Sequence, residues 1–94
     1  MSNEKFKVIR EKLFDYITHS LIINYEELCF CNMYESLGNV NWDVEFIFKL
    51  NYSLTTEEKN NLKRNIKRDL RKFLNEVFNM PYYHLAILII LDDT

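Results

Sequence analysis

The side chains in this sequence that could hold a metal ion are two cysteines and two histidines. Cys29 and Cys31 are separated by one residue, whereas His19 and His84 are distant from them and from each other. Structural zinc sites pair cysteines as C-x₂₋₄-C and histidines as H-x₃₋₅-H, because those spacings bring two ligands to one ion. Cysteines two apart on a strand are also too distant for an unstrained disulfide. We therefore expect no cofactor or metal, and two reduced thiols that pack as small apolar groups.

Catalytic side chains also lack partners in the sequence. His84 stands at the start of an apolar segment and could act as a general base, but neither a nucleophile nor an orienting carboxylate is placed beside it. A single glycine cannot build a phosphate-binding loop. Four carboxylates near predicted strand ends would form a site only if those ends met: Asp43, Glu45, Asp92 and Asp93. The sequence predicts a protein that is not an enzyme, with no small-molecule substrate evident.

Basic residues concentrate in one segment of the chain. Residues 59–72 contain seven lysines and arginines but one aspartate, a local charge of +6 in a chain whose net charge is −2. On a helix, five of these cations fall opposite or beside the apolar stripe and form a basic ridge: Arg64, Lys67, Arg68, Arg71 and Lys72. Such a ridge could contact nucleic-acid phosphates or an acidic protein surface, or it could be a solvated face.

Two amphipathic helices are predicted, and the second positions the basic ridge. Over residues 3–22 apolar side chains recur at steps of three and four, the period of a helix with one buried side. Thr55 and Glu58 match a capping box, in which each side chain accepts a hydrogen bond from the other residue's N–H. The helix that follows has one apolar stripe: Leu62, Ile66, Leu70, Phe73, Leu74 and Val77. Asn79 is a suitable terminator, and Pro81 lacks the N–H that a further turn needs.

Three further segments are predicted to be strands. Residues 26–34 lose the helical period, and the only glycine, Gly38, marks a chain reversal after them. Residues 42–52 alternate apolar and polar side chains, the pattern of a strand with one packed face and one wet face. Residues 82–91 form an almost unbroken apolar run, which is typical of a strand covered on both faces. We therefore expect the last strand to lie in the interior of the sheet.

The order α-β-β-α-β predicts a single α+β domain over residues 1–94. Two helices pack on one face of a small three-stranded mixed sheet, and an antiparallel hairpin is followed by a right-handed β-α-β crossover. The predicted core combines the helical stripes with the packed face of the second strand: Phe6, Ile9, Leu13, Ile17, Val44, Phe46, Phe48, Leu50, Leu62, Ile66, Leu70, Phe73 and Val77.

With both helices on one face, the opposite face of the sheet is left without cover. Alternation along the strands sends apolar residues of all three, the two cysteines among them, to that face. Monomers rarely expose an apolar patch of this size, so we expect self-association by a two-fold contact. A partner protein, or a first helix that wraps underneath the sheet, would cover the same surface. The predicted contact residues are Met33, Ile47, Leu88 and Ile90.

Composition suggests the compartment and the origin of the chain. No apolar run approaches the roughly 20 residues that span a bilayer, and the first residues lack a signal-peptide core. We therefore expect a cytoplasmic protein that makes no membrane contact. Frequent Asn, Lys and Ile beside one Gly and one Pro are typical of AT-rich genomes, such as those of phages and other mobile elements.

These features together predict a non-catalytic protein-interaction or structural module, encoded by a phage or mobile element. It acts as a homodimer or docks on a partner protein. The alternative is a small nucleic-acid-binding domain that uses the basic ridge. Binding to random DNA or RNA that weakens with added salt would favour this alternative.

Overall fold

The fold consists of helices and strands in the predicted order, and the α+β class is confirmed. In a computed structural model, the chain is described over residues 3–35, 43–79 and 86–93. The elements are, in chain order: α1 (Asn3–Tyr16), a π-helical turn (Ile17–Leu21), α2 (Ile22–Asn24), β1 (Leu28–Glu35), β2 (Val44–Leu50), α3 (Thr56–Phe78) and β3 (Ile87–Asp92). The first three elements are continuous and form one N-terminal helix, so the architecture has two helices and three strands.

The N-terminal helix buries one row of side chains, each four residues from the next: Ile9, Leu13, Ile17 and Leu21. Four residues of an α-helix turn about 400°, so such a row drifts by about 40° at every step. The π-helical turn has more residues per turn and offsets this drift. In it, the Ile22 N–H donates to the Ile17 carbonyl, five residues back. The wider turn therefore keeps Leu21 fully buried.

Both ends of α3 are closed by the residues that the sequence predicted. The Thr55 hydroxyl accepts a hydrogen bond from the Glu58 N–H at 3.1 Å, and the Glu58 carboxylate accepts one from the Thr55 N–H at 2.9 Å. Because this second bond favours the charged carboxylate, the pKa of Glu58 lies below its usual value. At the other end, Asn79 adopts a left-handed conformation with φ of 52° and donates its N–H to the Asn75 carbonyl. Pro81 lies outside the described residues.

The sheet has the strand order β1-β2-β3, with β2 in the centre. β1 and β2 are antiparallel, as predicted for the hairpin, and β2 and β3 are parallel. Gly38 and the rest of the hairpin connection lie outside the described residues. The prediction of an interior last strand is wrong, because β3 forms an edge of the sheet. β3 carries apolar residues on both faces, but its helix-free face is only partly buried, and an apolar run does not report how many strands it pairs with.

The core lies between the two helices and one face of the sheet. Its buried residues form a single cluster that draws on both helices and all three strands, which confirms that the helices cover the same face. Alternate residues of β2 and β3 point into this cluster, since each strand shows a strict buried and partly buried alternation. The buried members that the core prediction lacked are Leu21, Leu28, Cys31, Leu74, Ile87, Ile89 and Leu91.

Val77 was wrongly predicted as a core residue. It lies on the apolar stripe of α3, yet its side chain is 50% exposed. The buried row of α3 continues at steps of four residues, from Leu70 to Leu74 and then to Phe78, which packs against the core. In the last turn, Phe78 therefore takes the place that the predicted stripe assigned to Val77. Phe73 is partly buried against the core, and the side chain of Phe6 lies outside the described residues.

We predict that Phe46→Ala destabilises the domain by about 3 to 5 kcal/mol, because a fully buried ring is lost and a cavity remains. Val77→Ala is the matched control. It removes an apolar side chain from the same predicted core at an exposed position and should cost less than about 1 kcal/mol. Urea unfolding of both variants measures the difference. A Phe46→Ala variant as stable as the wild type would show that this face of β2 is not the packed one.

Candidate interaction surfaces

The face of the sheet that carries no helix has a defined set of residues. Cross-strand partners lie on the same face, so three rows of partners run across it. They join Phe30 to Lys49 and Asp92, Asn32 to Ile47 and Ile90, and Tyr34 to Glu45 and Leu88. We call this surface the open face; it consists of Phe30, Asn32, Tyr34, Glu45, Ile47, Lys49, Leu88, Ile90 and Asp92.

The open face has an apolar centre with charges towards its ends. Ile47, Leu88 and Ile90 are partly exposed, and on β1 the side chains of Phe30 and Tyr34 are each 49% exposed. On β2, Glu45 and Lys49 lie two residues to either side of Ile47. Apolar side chains from all three strands thus meet on one continuous surface, which is the kind of patch that marks an interaction site.

Three of the four predicted contact residues lie on the open face, but Met33 does not. Met33 pairs with Phe46 and packs against the core, and Cys31 pairs with Phe48 and is buried. The register of β1 shifts between Leu28 and Phe30. This bulge reverses the alternation, so residues after it point to the opposite face from the one that simple counting gives.

The basic ridge lies on α3, the helix that packs on the other side of the sheet from the open face. Arg64, Lys67, Arg68 and Lys72 are exposed, whereas Arg71 is partly buried. Two of the guanidinium groups bond along the helix: Arg64 to the Asn61 side chain, and Arg68 to the side chains of Asn65 and Asp69. The Arg68–Asp69 distance is 3.4 Å. The ridge is thus a row of cations of which Arg68 is locally paired with a carboxylate.

Asp69 also holds the two helices together, a role that sequence analysis did not identify. The Tyr25 hydroxyl, just after α2, donates to the Asp69 carboxylate. Burial, followed by this hydrogen bond, raises the pKa of Tyr25 to about 12, so its hydroxyl stays protonated as a donor. Nearby, the rings of Tyr16 and Phe73 stack with their centroids 4.4 Å apart. Sequence periodicity indicates which side chains of one helix share a face. It does not indicate which side chain of the other helix each of them contacts.

A small recess of about 240 Å³ separates the two helices beside these contacts. Its lining combines two carboxylates, one ammonium group, one amide and two aromatic rings: Tyr16, Asn24, Asp69, Lys72, Phe73 and Glu76. Burial, together with the carboxylates of Asp69 and Glu76, raises the pKa of Tyr16. Its described lining contains none of the histidines and cysteines considered as candidate ligands.

The carboxylates that would form a site only if strand ends met are divided between the two ends of the sheet. Asp43 precedes β2 and accepts a hydrogen bond from the Ala86 N–H at 2.8 Å, which ties the starts of β2 and β3 together. Asp92 aligns with Lys49 at the far end, and Asp93 forms an ion pair with Lys59 at 3.0 Å. These side chains act within the fold and do not converge.

Metal-ligating side chains do not converge in the part of the chain that the structure describes. Cys31 is buried, and burial raises the pKa of its thiol to about 12, whereas Cys29 is exposed. His19 lies exposed in the π-helical turn, and His84 lies outside the described residues. Cys31 is therefore a protonated core thiol at neutral pH.

No known protein family, curated protein or solved structure matches this chain. Among its described helices, none has the length and apolar character needed to cross a membrane. Function is therefore inferred from the surfaces themselves.

Replacing the four exposed ridge cations with glutamine should change the free energy of unfolding by less than about 1 kcal/mol, because exposed charges contribute little to stability. The substitutions are Arg64→Gln, Lys67→Gln, Arg68→Gln and Lys72→Gln. Urea unfolding of the quadruple variant at low salt checks this expectation. A loss of several kcal/mol would show that the ridge is part of the folded framework and not a free surface.

Proposed function

We propose that this chain is a non-catalytic protein-interaction module that assembles with a second copy of itself through the open face. The observation that carries the proposal is the one-sided coverage of the sheet. Both described helices pack on the same face, while on the other face apolar side chains of β1 are exposed and those of β2 and β3 are partly exposed. Burying this surface removes apolar area from water, at about 25 cal/mol per Å².

The charges on β2 favour a second copy as the occupant. Glu45, Ile47 and Lys49 are spaced symmetrically along the open face of this strand. Consider a two-fold axis that lies between the two sheets, parallel to them, and that passes Ile47 perpendicular to β2. The two copies of β2 then run antiparallel, and each Glu45 faces the Lys49 of the other copy. Face-to-face sheets lie about 10 Å apart, a gap that these side chains span from both sides. On β2, the surface therefore complements itself in charge.

Cysteine usage and composition support a cytoplasmic location and a phage or mobile-element origin for this module. Its two cysteines are free, as expected for a protein of a reducing compartment such as the cytoplasm. The frequent Asn, Lys and Ile residues favour a phage or mobile element as its source. A homodimer of this kind would act as a structural or adaptor component.

A second candidate function, nucleic-acid binding, rests on the basic ridge. Four of its cations are exposed on one helix, and the segment that contains them carries a charge of +6. Binding to random duplex DNA or to RNA would then weaken steeply with salt, with a slope set by the number of phosphates contacted. The quadruple glutamine variant would lose this binding, whereas it would leave dimerisation through the open face unchanged.

Ile47→Glu is the direct test of self-association, because it places a carboxylate at the centre of the proposed contact. A charge buried without a partner costs several kcal/mol, so the dimer should weaken by about 100-fold or more while the monomer stays folded. Light scattering over a concentration series measures the mass, and circular dichroism checks the fold.

Val77→Glu is the control, since it adds the same charge to an apolar residue that is exposed on α3 and lies off the open face. It should leave the dimer intact. An Ile47→Glu variant that dimerises as well as the wild type would remove the open face from the contact. A wild-type protein that is monomeric at tens of micromolar would contradict self-association altogether.

A further inference from the structure

The outer edge of β3 offers backbone groups to a further strand. β3 pairs with β2 on one side, and within the described residues no strand pairs with its other side. The Ala86 carbonyl accepts the N–H groups of Asp43 and Val44 at 2.7 and 3.3 Å, so Ala86 turns its polar groups towards β2. Successive residues of a strand point these groups in opposite directions. The N–H and C=O groups that point outwards are those of Ile87, Ile89 and Leu91.

A groove runs along this edge, between β3 and α3. Its volume is about 410 Å³, and it has three apolar residues on the strand side and three cations on the helix side: Ile87, Leu88, Ile89, Lys63, Arg64 and Lys67. An unpaired strand edge beside side-chain pockets is the arrangement by which domains capture extended peptides as an added strand.

The cations along the groove select an acidic occupant. Lys59, Lys63 and Lys67 follow each other at steps of four residues along α3. At one end of this row Asp93, just after β3, pairs with Lys59 at 3.0 Å. No carboxylate of the described residues forms an ion pair with Lys63 or Lys67. The ion pair between Asp93 and Lys59 is thus an example, within this chain, of a carboxylate on an extended segment that contacts this row of lysines.

We propose that the free edge of β3 binds an extended acidic segment of a partner protein as a fourth strand. One step of four residues along α3 advances about 6 Å, and two residues of a strand advance about 6.6 Å. Acidic side chains at alternate positions of the added strand therefore match Lys63 and Lys67 in spacing. The partner segment has the pattern of an acidic residue at every second position.

A second copy of this chain does not fit this edge. If two β3 strands paired edge to edge, the Lys63 and Lys67 rows of the two copies would lie along the same seam and repel each other. Leu88 belongs both to the groove and to the open face, but Lys63 and Lys67, which select the acidic segment, lie on α3 and off the open face. This inference consequently does not depend on self-association.

A synthetic peptide of alternating Glu and Val residues, labelled for fluorescence anisotropy, is the probe. The wild-type protein should bind it, and the double variant Lys63→Gln/Lys67→Gln should bind at least about tenfold more weakly. The matched control is Lys7→Gln/Lys12→Gln, which removes two exposed cations from α1 and should leave affinity unchanged. The same measurements with Ile47→Glu in the background should give the same result, which separates this site from the open face.

Backbone pairing is tested with two N-methylated forms of the peptide, each methylated on alternate residues. In an added strand the N–H groups of one set face β3 and those of the other set face solvent. One form should therefore lose binding at least about tenfold, while the other keeps it. Equal binding by both forms, no binding by the unmodified peptide, or equal affinity for single-stranded DNA of the same charge would overturn the proposal.

Discussion

The burial of one face of β2 is the constraint on which the rest of the structure depends. Val44, Phe46 and Phe48 are completely buried, and they lie between both helices and the neighbouring strands. Because side chains alternate along a strand, placing these three inside fixes Glu45, Ile47 and Lys49 on the other side. The registers of β1 and β3 are then set against β2, and the composition of the open face follows from them.

The two described helices cover the sheet on one side only. The two-layer arrangement yields a continuous apolar core, and the helices are joined across it by the Tyr25–Asp69 hydrogen bond and the Tyr16–Phe73 stack. No described element covers the second face. The proposed self-association and the proposed fourth-strand binding thus have a common origin, since a small sheet exposes both a face and an edge.

Local signals predicted those features that local chemistry determines. The capping box at Thr55 and Glu58, the termination at Asn79 and the alternation of β2 depend on neighbouring residues, and each is confirmed. The N-terminal helix was also predicted, but its π-helical turn was not, because the drift of a row of side chains matters only once the helix packs against a sheet.

The errors concern features that depend on distant parts of the chain. The bulge near Cys29 places Met33 on the packed face, whereas it was predicted on the open face. No residue type near the bulge indicates that a strand contains an extra residue. The edge position of β3 depends on which strand β2 pairs with, and the exposure of Val77 depends on which side of the last turn of α3 meets the core, where Phe78 packs instead. The open face was predicted at Ile47, Leu88 and Ile90, while Phe30 and Tyr34 came to it through the bulge.

Charge reversal at Glu45 and Lys49 tests the proposed two-fold contact most directly. Glu45→Lys alone, or Lys49→Glu alone, places like charges opposite each other at both ends of the contact and should weaken the dimer about tenfold. The double variant exchanges the two charges and should recover most of the wild-type affinity, because opposite charges again face each other. Sedimentation equilibrium of the four proteins gives the dissociation constants. If the double variant is as weak as the two single effects combined, Glu45 and Lys49 do not meet across a two-fold axis, and the account of the open face is wrong.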